Sequence, residues 1–184
     1  MIIKSIKVGS LQTNCYVVVD GKTNQAMVID PGDEAVRIVP LIRDLEVRYI
    51  VVTHGHPDHF GALEEIKRLT GAPLLASPWD SWFYQADRPI NDGEKIELGS
   101  LTFTVLVTAG HSKGCICLYS PGHLFSGDTL FAGTCGRMDL PGGSEDDMRA
   151  SLRRLSQLPP ETKVYPGHGE FTTIGREKEL GTLG

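Results

Sequence analysis

The run Val47-Arg48-Tyr49-Ile50-Val51-Val52-Thr53 passes without a break into His54-Gly55-His56-Pro57-Asp58-His59. Its β-branched content predicts a buried strand, so the polar segment that follows must form a loop at that strand's end. Imidazole and carboxylate are the ligand types that first-row divalent metals take from protein. In extended backbone, residues two apart point the same way, so His54 and His56 can pinch one ion. Pro57 bends the chain and lets Asp58 and His59 reach a second. By chance, H-x-H-x-D-H arises in roughly a few of every ten thousand chains of this composition. The segment therefore demands a fold that delivers further ligands to one strand end.

Three other strand ends offer them. Leu101 to Val107 reads as a strand and leads into Thr108-Ala109-Gly110-His111-Ser112. His123 to Ser126 leads into Gly127-Asp128, and Lys163 to Tyr165 into Pro166-Gly167-His168. Each places one ligand-type side chain next to glycine, where backbone can turn sharply toward a shared cleft. Singly these matches are weak. With the first loop they complete a set of seven: His54, His56, Asp58, His59, His111, Asp128 and His168. His123 lacks the glycine-flanked setting and reads as a surface residue.

The remaining patterns set the frame. Val17 to Val19 and Met27 to Ile29 read as strands, with Asp20-Gly21 predicting a tight hairpin between them. Asp33 is the predicted cap of a helix whose apolar face is Ile38, Ile42 and Leu45. A second helix carries Leu63, Ile66 and Leu69 on one face and stops at Gly71-Ala72-Pro73. Trp79, Trp82, Phe83 and Tyr84 either form a short packed helix, the favoured reading, or line the mouth of a cleft. Asn91-Asp92-Gly93 marks a turn, and Cys115 to Tyr119 a strand. A long glycine-rich loop, Gly127 to Gly143, precedes a helix capped by Ser144, with Asp147 in the capping-box position and Met148, Leu152 and Leu155 inward. A last short helix is read over Thr172 to Leu180. Strands and helices thus alternate as two similar halves, which two stacked sheets with helices outside would explain.

With 184 residues, the chain fits one domain, 1–184. A net charge of −5 argues against a nucleic-acid partner. No stretch approaches a membrane span, and the N-terminus shows no apolar signal region, so a cytoplasmic protein is expected. Cys15, Cys115, Cys117 and Cys135 form no C-x-x-C pair and read as buried core residues in a reducing compartment, Cys135 alone lying in the glycine-rich loop.

The ordered set T-H-x-H-x-D-H, a later lone His, a Gly-Asp and a Gly-His resembles the metallo-β-lactamase superfamily, from about Val28-Ile29-Asp30-Pro31-Gly32 to His168-Gly169-Glu170. That resemblance implies an α/β fold, the four-layer αββα sandwich. The stretch Phe125 to Gly143 is similar to the glyoxalase II-like, or hydroxyacylglutathione hydrolase, group. What the resemblance implies is two divalent metal ions, most readily Zn2+ with Fe or Mn admitted. His54, His56 and His111 would hold one, Asp58, His59 and His168 the other, with Asp128 bridging and Asp30 ordering the metal loop from behind. Asp58 would also be catalytic, orienting a hydroxide that bridges the ions. Two ions, two carboxylates and a hydroxide leave the site about one positive charge, suited to an oxyanion on an attacked carbonyl. The glyoxalase II enzymes carry a C-terminal helical domain that helps bind glutathione; this chain stops shortly after His168, like the short relatives of that group.

The expected activity is hydrolysis of a small acyl-thioester, since a thiolate leaving group needs little protonation and no further general acid stands out. Arg137 and Lys113 are candidates for binding a substrate carboxylate; pairing of Arg137 with Asp139 is the competing reading. Alternatives are a mononuclear iron persulfide dioxygenase using two His and one Asp, another hydrolase of the same fold acting on a lactone or phosphodiester, and a metal-bearing module without activity. A zinc β-lactamase would have a different ligand set in place of the bridging Asp. An RNA-processing nuclease would need added domains and a basic surface. The oligomeric state is left open.

Overall fold

The computed structural model of the chain describes residues 1–80 and 84–184. The first half builds one sheet from β1 (Ile2–Val8), β2 (Thr13–Val19), β3 (Gln25–Ile29), β4 (Glu46–Val52), β5 (Leu74–Ala76) and β6 (Arg88–Pro89), hydrogen-bonded in that order. β1 to β3 form an antiparallel meander, while β3 to β6 run parallel. Parallel neighbours need crossovers, and α1 (Ala35–Ile42) and α2 (Leu63–Thr70) supply the first two. The second half contributes β7 (Lys95–Leu98), β8 (Leu101–Val107), β9 (Ile116–Ser120) and β10 (His123–Gly127). After the small hairpin β11 (Leu130–Phe131) and β12 (Thr134–Cys135) come α3 (Glu145–Leu155), β13 (Lys163–Pro166), β14 (Thr172–Thr173) and α4 (Ile174–Glu179). The second sheet has the order β14-β13-β10-β9-β8-β7.

Strand periodicity sorts the apolar side chains into three cores. On β2, Tyr16 and Val18 face the opposite sheet, where they meet Ile96, Phe103, Val105, Leu118 and Phe125. Their neighbours Val17 and Val19 face outward and pack with Ile38, Ile42, Leu63 and Ile66 of α1 and α2. Beyond the second sheet, Leu106, Cys117 and Leu124 pack with Met148, Leu152 and Leu155 of α3 and Ile174 of α4. Helix, sheet, sheet, helix: the four-layer sandwich expected from the sequence is present.

Direction within the second sheet matters most for function. β8 and β10 are both antiparallel to β9, and β13 is parallel to β10. The C-terminal ends of β8, β10 and β13 therefore lie at one edge of the sandwich, as do those of parallel β3 and β4 in the first sheet.

Several local expectations are corrected. The β2–β3 connection is not a two-residue turn but a longer one, with Asn24 in the left-handed region and Asp20 bonded within it. Asp33 does not cap α1; it bonds the adjacent Glu34 N–H, and Glu34 takes the cap position with a left-handed φ and no side-chain cap. Leu45 lies beyond α1, and Leu69 is exposed on α2. The glycine-rich loop contains the β11–β12 hairpin. Tyr84 packs on Phe60 as expected, whereas Trp79 is 65% exposed; Trp82 and Phe83 lie outside the described residues. His123 is half-buried, stacked on Tyr165. Ser144 does cap α3, its Oγ accepting from Asp147 N at 3.2 Å. Cys15, Cys115 and Cys117 are buried and free; burial pushes all three thiols up, Cys117 to about 11, so they serve packing. Among the described residues no helix is long and apolar enough to cross a membrane.

Candidate metal centre

The loops after β4, β8, β10 and β13 meet at the shared edge and bring all seven sequence-selected side chains together. Three groups form: His54, His56 and His111; His54, His59 and Asp128; and Asp58, His59 and His168, with ligand atoms in each group within 4.8 Å of one another. His56 Nδ1 stands 3.1 Å from His54 Nε2 and 2.8 Å from His111 Nε2. Asp128 presents Oδ2 at 3.5 Å from His111 Nε2 and Oδ1 at 3.5 Å from His59 Nε2. Its Oδ2 is also 3.6 Å from His168 Nε2. Asp128 thus sits between the two trios.

Four of the five rings are oriented from behind, which decides where their Nε2 atoms point. His59 Nδ1 donates to Asp30 Oδ2 at 2.9 Å, His111 Nδ1 to the Arg137 carbonyl at 2.7 Å and His168 Nδ1 to the Leu11 carbonyl at 3.1 Å. Thr53 Oγ1 donates to Asp30 Oδ2 and so receives the Nδ1–H of His54. With those protons on Nδ1, the Nε2 atoms of these four rings face the cleft together with His56 Nδ1. Such partners are the usual orienting groups of metal-ligating histidines.

Rings crowded into one buried cluster cannot all carry a proton, and the electrostatics reflect that. Burial, reinforced by the neighbouring rings, pushes His54 well below the ordinary imidazole range, and His56 is lowered for the same reasons. Burial disfavours charge on His59 too, but Asp30 and Asp128 outweigh it and raise that ring. Burial likewise works against the Asp58 and Asp128 carboxylates, yet the surrounding rings hold both low.

Two observations test whether cations fit. His59 Nε2 and Asp128 Oδ1 are buried with no hydrogen-bond partner, an expensive arrangement for polar atoms unless something else engages them. Nitrogens placed tetrahedrally about 2.0 Å from a zinc-sized ion stand roughly 3.3 Å apart, close to the spacing of the three-histidine group. The residues fit a divalent metal pair.

Asp30 lies behind the loop, accepting from Thr53 N at 2.7 Å, and has an unusual positive φ of 51°. Arg137 lines the cleft but its guanidinium is engaged by Asp139 in two 2.7 Å bonds. Lys113 lines an adjoining cavity instead, beside Trp79 and Asp80. Sequence reasoning missed three residues. Thr13 Oγ1 donates to Asp58 Oδ2 at 2.8 Å. Asn14 Nδ2 holds the His168 turn through the carbonyls of Pro166 and Gly169, at 3.0 and 3.1 Å. Asp80 joins two of the ligand turns. None carries a local spacing signal, although Thr13 and Asn14 are polar residues opening a strand that is otherwise apolar.

The profile of the Metallo-beta-lactamase superfamily matches residues 8–168. The chain belongs to that superfamily. Among its members, the chain is 41% identical to a hydroxyacylglutathione hydrolase of Methylobacillus flagellatus, over 80% of this chain but 58% of that protein's length. It is 34% identical to the hydroxyacylglutathione hydrolase GloC of Haemophilus influenzae, over 97% of this chain and 95% of GloC. Three solved superfamily structures superpose closely. They are BLEG-1 B3 metallo-beta-lactamase (TM-score 0.92, 30% identity, 97% of each chain), ETHE1 from Myxococcus xanthus (0.91, 31%, 98% of this chain and 83% of that one) and TTHA1623 in a di-iron-bound form (0.85, 36%, 96% and 98%). Their names differ, so superfamily membership supports a metal-binding hydrolase fold without selecting a substrate.

Proposed function

We propose that the protein is a metal-dependent hydrolase of small acyl-thioesters, of the hydroxyacylglutathione hydrolase kind. The observation that carries this reading is Asp128 set between two ligand trios, with an orphaned oxygen facing an orphaned histidine nitrogen. His54, His56 and His111 would hold one ion and Asp58, His59 and His168 the other, with Asp128 shared. Zinc suits the donor set, and iron or manganese is equally admitted by N and O ligands; a relative solved in a di-iron form supports the second option. Two divalent ions there supply Lewis acidity, bringing a water toward neutral pKa and polarising a carbonyl.

The chain's own groups do the rest. Asp58 lines the cleft with Oδ2 accepting from Thr13 and turned toward His59 and His168 Nε2, leaving Oδ1 as a proton acceptor. The cleft measures about 550 Å³, walled by Leu11, Phe131 and Leu140 with Arg137 beside them. That volume suits a small molecule, the apolar walls an acyl chain and Arg137 a carboxylate of the thiol. A thiolate departs without a proton donor, so this reading requires no general acid in the cleft. Relatives carrying the hydroxyacylglutathione hydrolase name support this class of substrate. A mononuclear iron dioxygenase needs only two His and one Asp and would use three of the seven ligand side chains.

Elemental analysis of the purified protein alongside turnover of S-lactoylglutathione tests the proposal. Two metal equivalents are expected, with turnover falling at least ~100-fold in Asp58→Ala. One iron per chain with oxygen uptake, or an Asp58→Ala variant as fast as the parent, overturns it.

A further inference from the structure

Asp80 ends the short 3-10 turn Pro78–Asp80, and its side chain is buried. Among the described residues no cation pairs with it, and burying a carboxylate without one is costly. Three donors offset that cost. Oδ2 accepts from Gly55 N and Ser112 Oγ, both at 2.8 Å, and Oδ1 from Gly114 N at 3.1 Å.

The origin of those donors is informative. Gly55 lies between His54 and His56, on the turn after β4 of the first sheet. Ser112 and Gly114 follow His111, on the turn after β8 of the second sheet. One carboxylate therefore spans the gap between the two sheets at the point where three imidazoles must converge. Asp30 is different in reach: it bonds Thr53 and His59 and orders only the first turn. Close packing leaves the carboxylate no freedom, because a Cβ on Gly114 would stand 2.4 Å from Asp80 Cγ. An apolar residue could fill this volume but could not tie the turns, which Oδ2 alone already joins by accepting from Gly55 N and Ser112 Oγ.

We propose that Asp80 is the positioning residue of the three-histidine site, setting the separation of the His54–His56 turn from the His111 turn. The proposal rests on the reading that this trio holds a metal ion. Removing the tie lets the two turns drift apart, and affinity for one ion falls while the other site, built on Asp58, His59 and His168, keeps its own supports.

The test is zinc titration of metal-stripped full-length protein against a chromophoric chelator, with a melting curve of the stripped protein. Asp80→Ala removes both oxygens and with them all three bonds. One of the two zinc equivalents should weaken about 10- to 100-fold, the other should stay within about threefold, and the stripped variant should melt close to the parent. Ser112→Ala removes a single bond and serves if Asp80→Ala fails to fold; the same equivalent should weaken several-fold. Parent-like binding of both equivalents in the folded variants overturns the proposal, as does equal weakening of both. A parent that takes up no zinc instead overturns the metal reading itself, which is a separate result.

Discussion

Thr13 Oγ1 donates a 2.8 Å hydrogen bond to Asp58 Oδ2, the oxygen that also stands 3.1 Å from His168 Nε2. Thr13 opens β2 of the first sheet, so a residue far from the histidine motif fixes the rotation of the carboxylate on which the proposed chemistry depends. A hydrogen bond to a charged acceptor contributes about 1.5–3 kcal/mol. Thr13→Val removes the hydroxyl while keeping the shape. Its kcat should fall about 10- to 100-fold with KM nearly unchanged, and Thr13→Ser should restore most of the rate. Steady-state kinetics on the thioester substrate checks this; an unchanged kcat in Thr13→Val defeats it.

Gly167 gives the second prediction. A Cβ there would lie 2.2 Å from Asp128 Oδ1 and 2.7 Å from His59 Cε1. Gly167→Ala must push aside the carboxylate placed between the trios, so the folded variant should retain clearly less than two metal equivalents and lose at least ~100-fold in activity. Circular dichroism and elemental analysis on one sample separate this outcome from unfolding.

Arg137 tests substrate recognition. Its carbonyl orients His111, a contact that substitution leaves in place, while its exposed guanidinium is held by Asp139. Arg137→Ala should therefore raise KM about tenfold and leave kcat within about twofold. A fall in kcat at constant KM would mean that the Arg137–Asp139 pair serves only to order the loop.

Asp20 links the two sheets away from the site. It accepts from Thr23 and Lys22 in its own turn and from Ser100 N and Oγ in the β7–β8 turn. The Ser100 N–H, aided by the other donors, holds its carboxyl at about 2. Folding therefore favours the ionised form. That contribution is complete above the unfolded value of about 3.9 and is lost as pH falls through about 2. Asp20→Asn should lower the melting temperature by a few degrees near neutrality, and the gap from the parent should close in strong acid. Denaturant midpoints measured across that range decide it, and a gap independent of pH would be the contrary result.

What could be read along the chain was whatever is governed by neighbours in sequence. Alternation on β2 and the 3.6-residue period of α3 reflect local geometry. The ligand turns advertise themselves because a strand end, a glycine and an imidazole lie within a few residues. Leu69 and Trp79 were misplaced because their exposure depends on what packs beside them, which periodicity does not encode. Asp33 lost the cap of α1 because Glu34 adopted a left-handed backbone conformation, a choice made by the surrounding loop.

The amino-acid order alone determined the layered fold and the identity of the seven candidate ligands, since hydrophobic period and donor chemistry are properties of short segments. Only the folded chain decided that Thr13, Asn14 and Asp80 serve those ligands. Their hydrogen bonds join strands and turns up to 155 residues apart, and such partners are chosen by how two sheets stack and in what register.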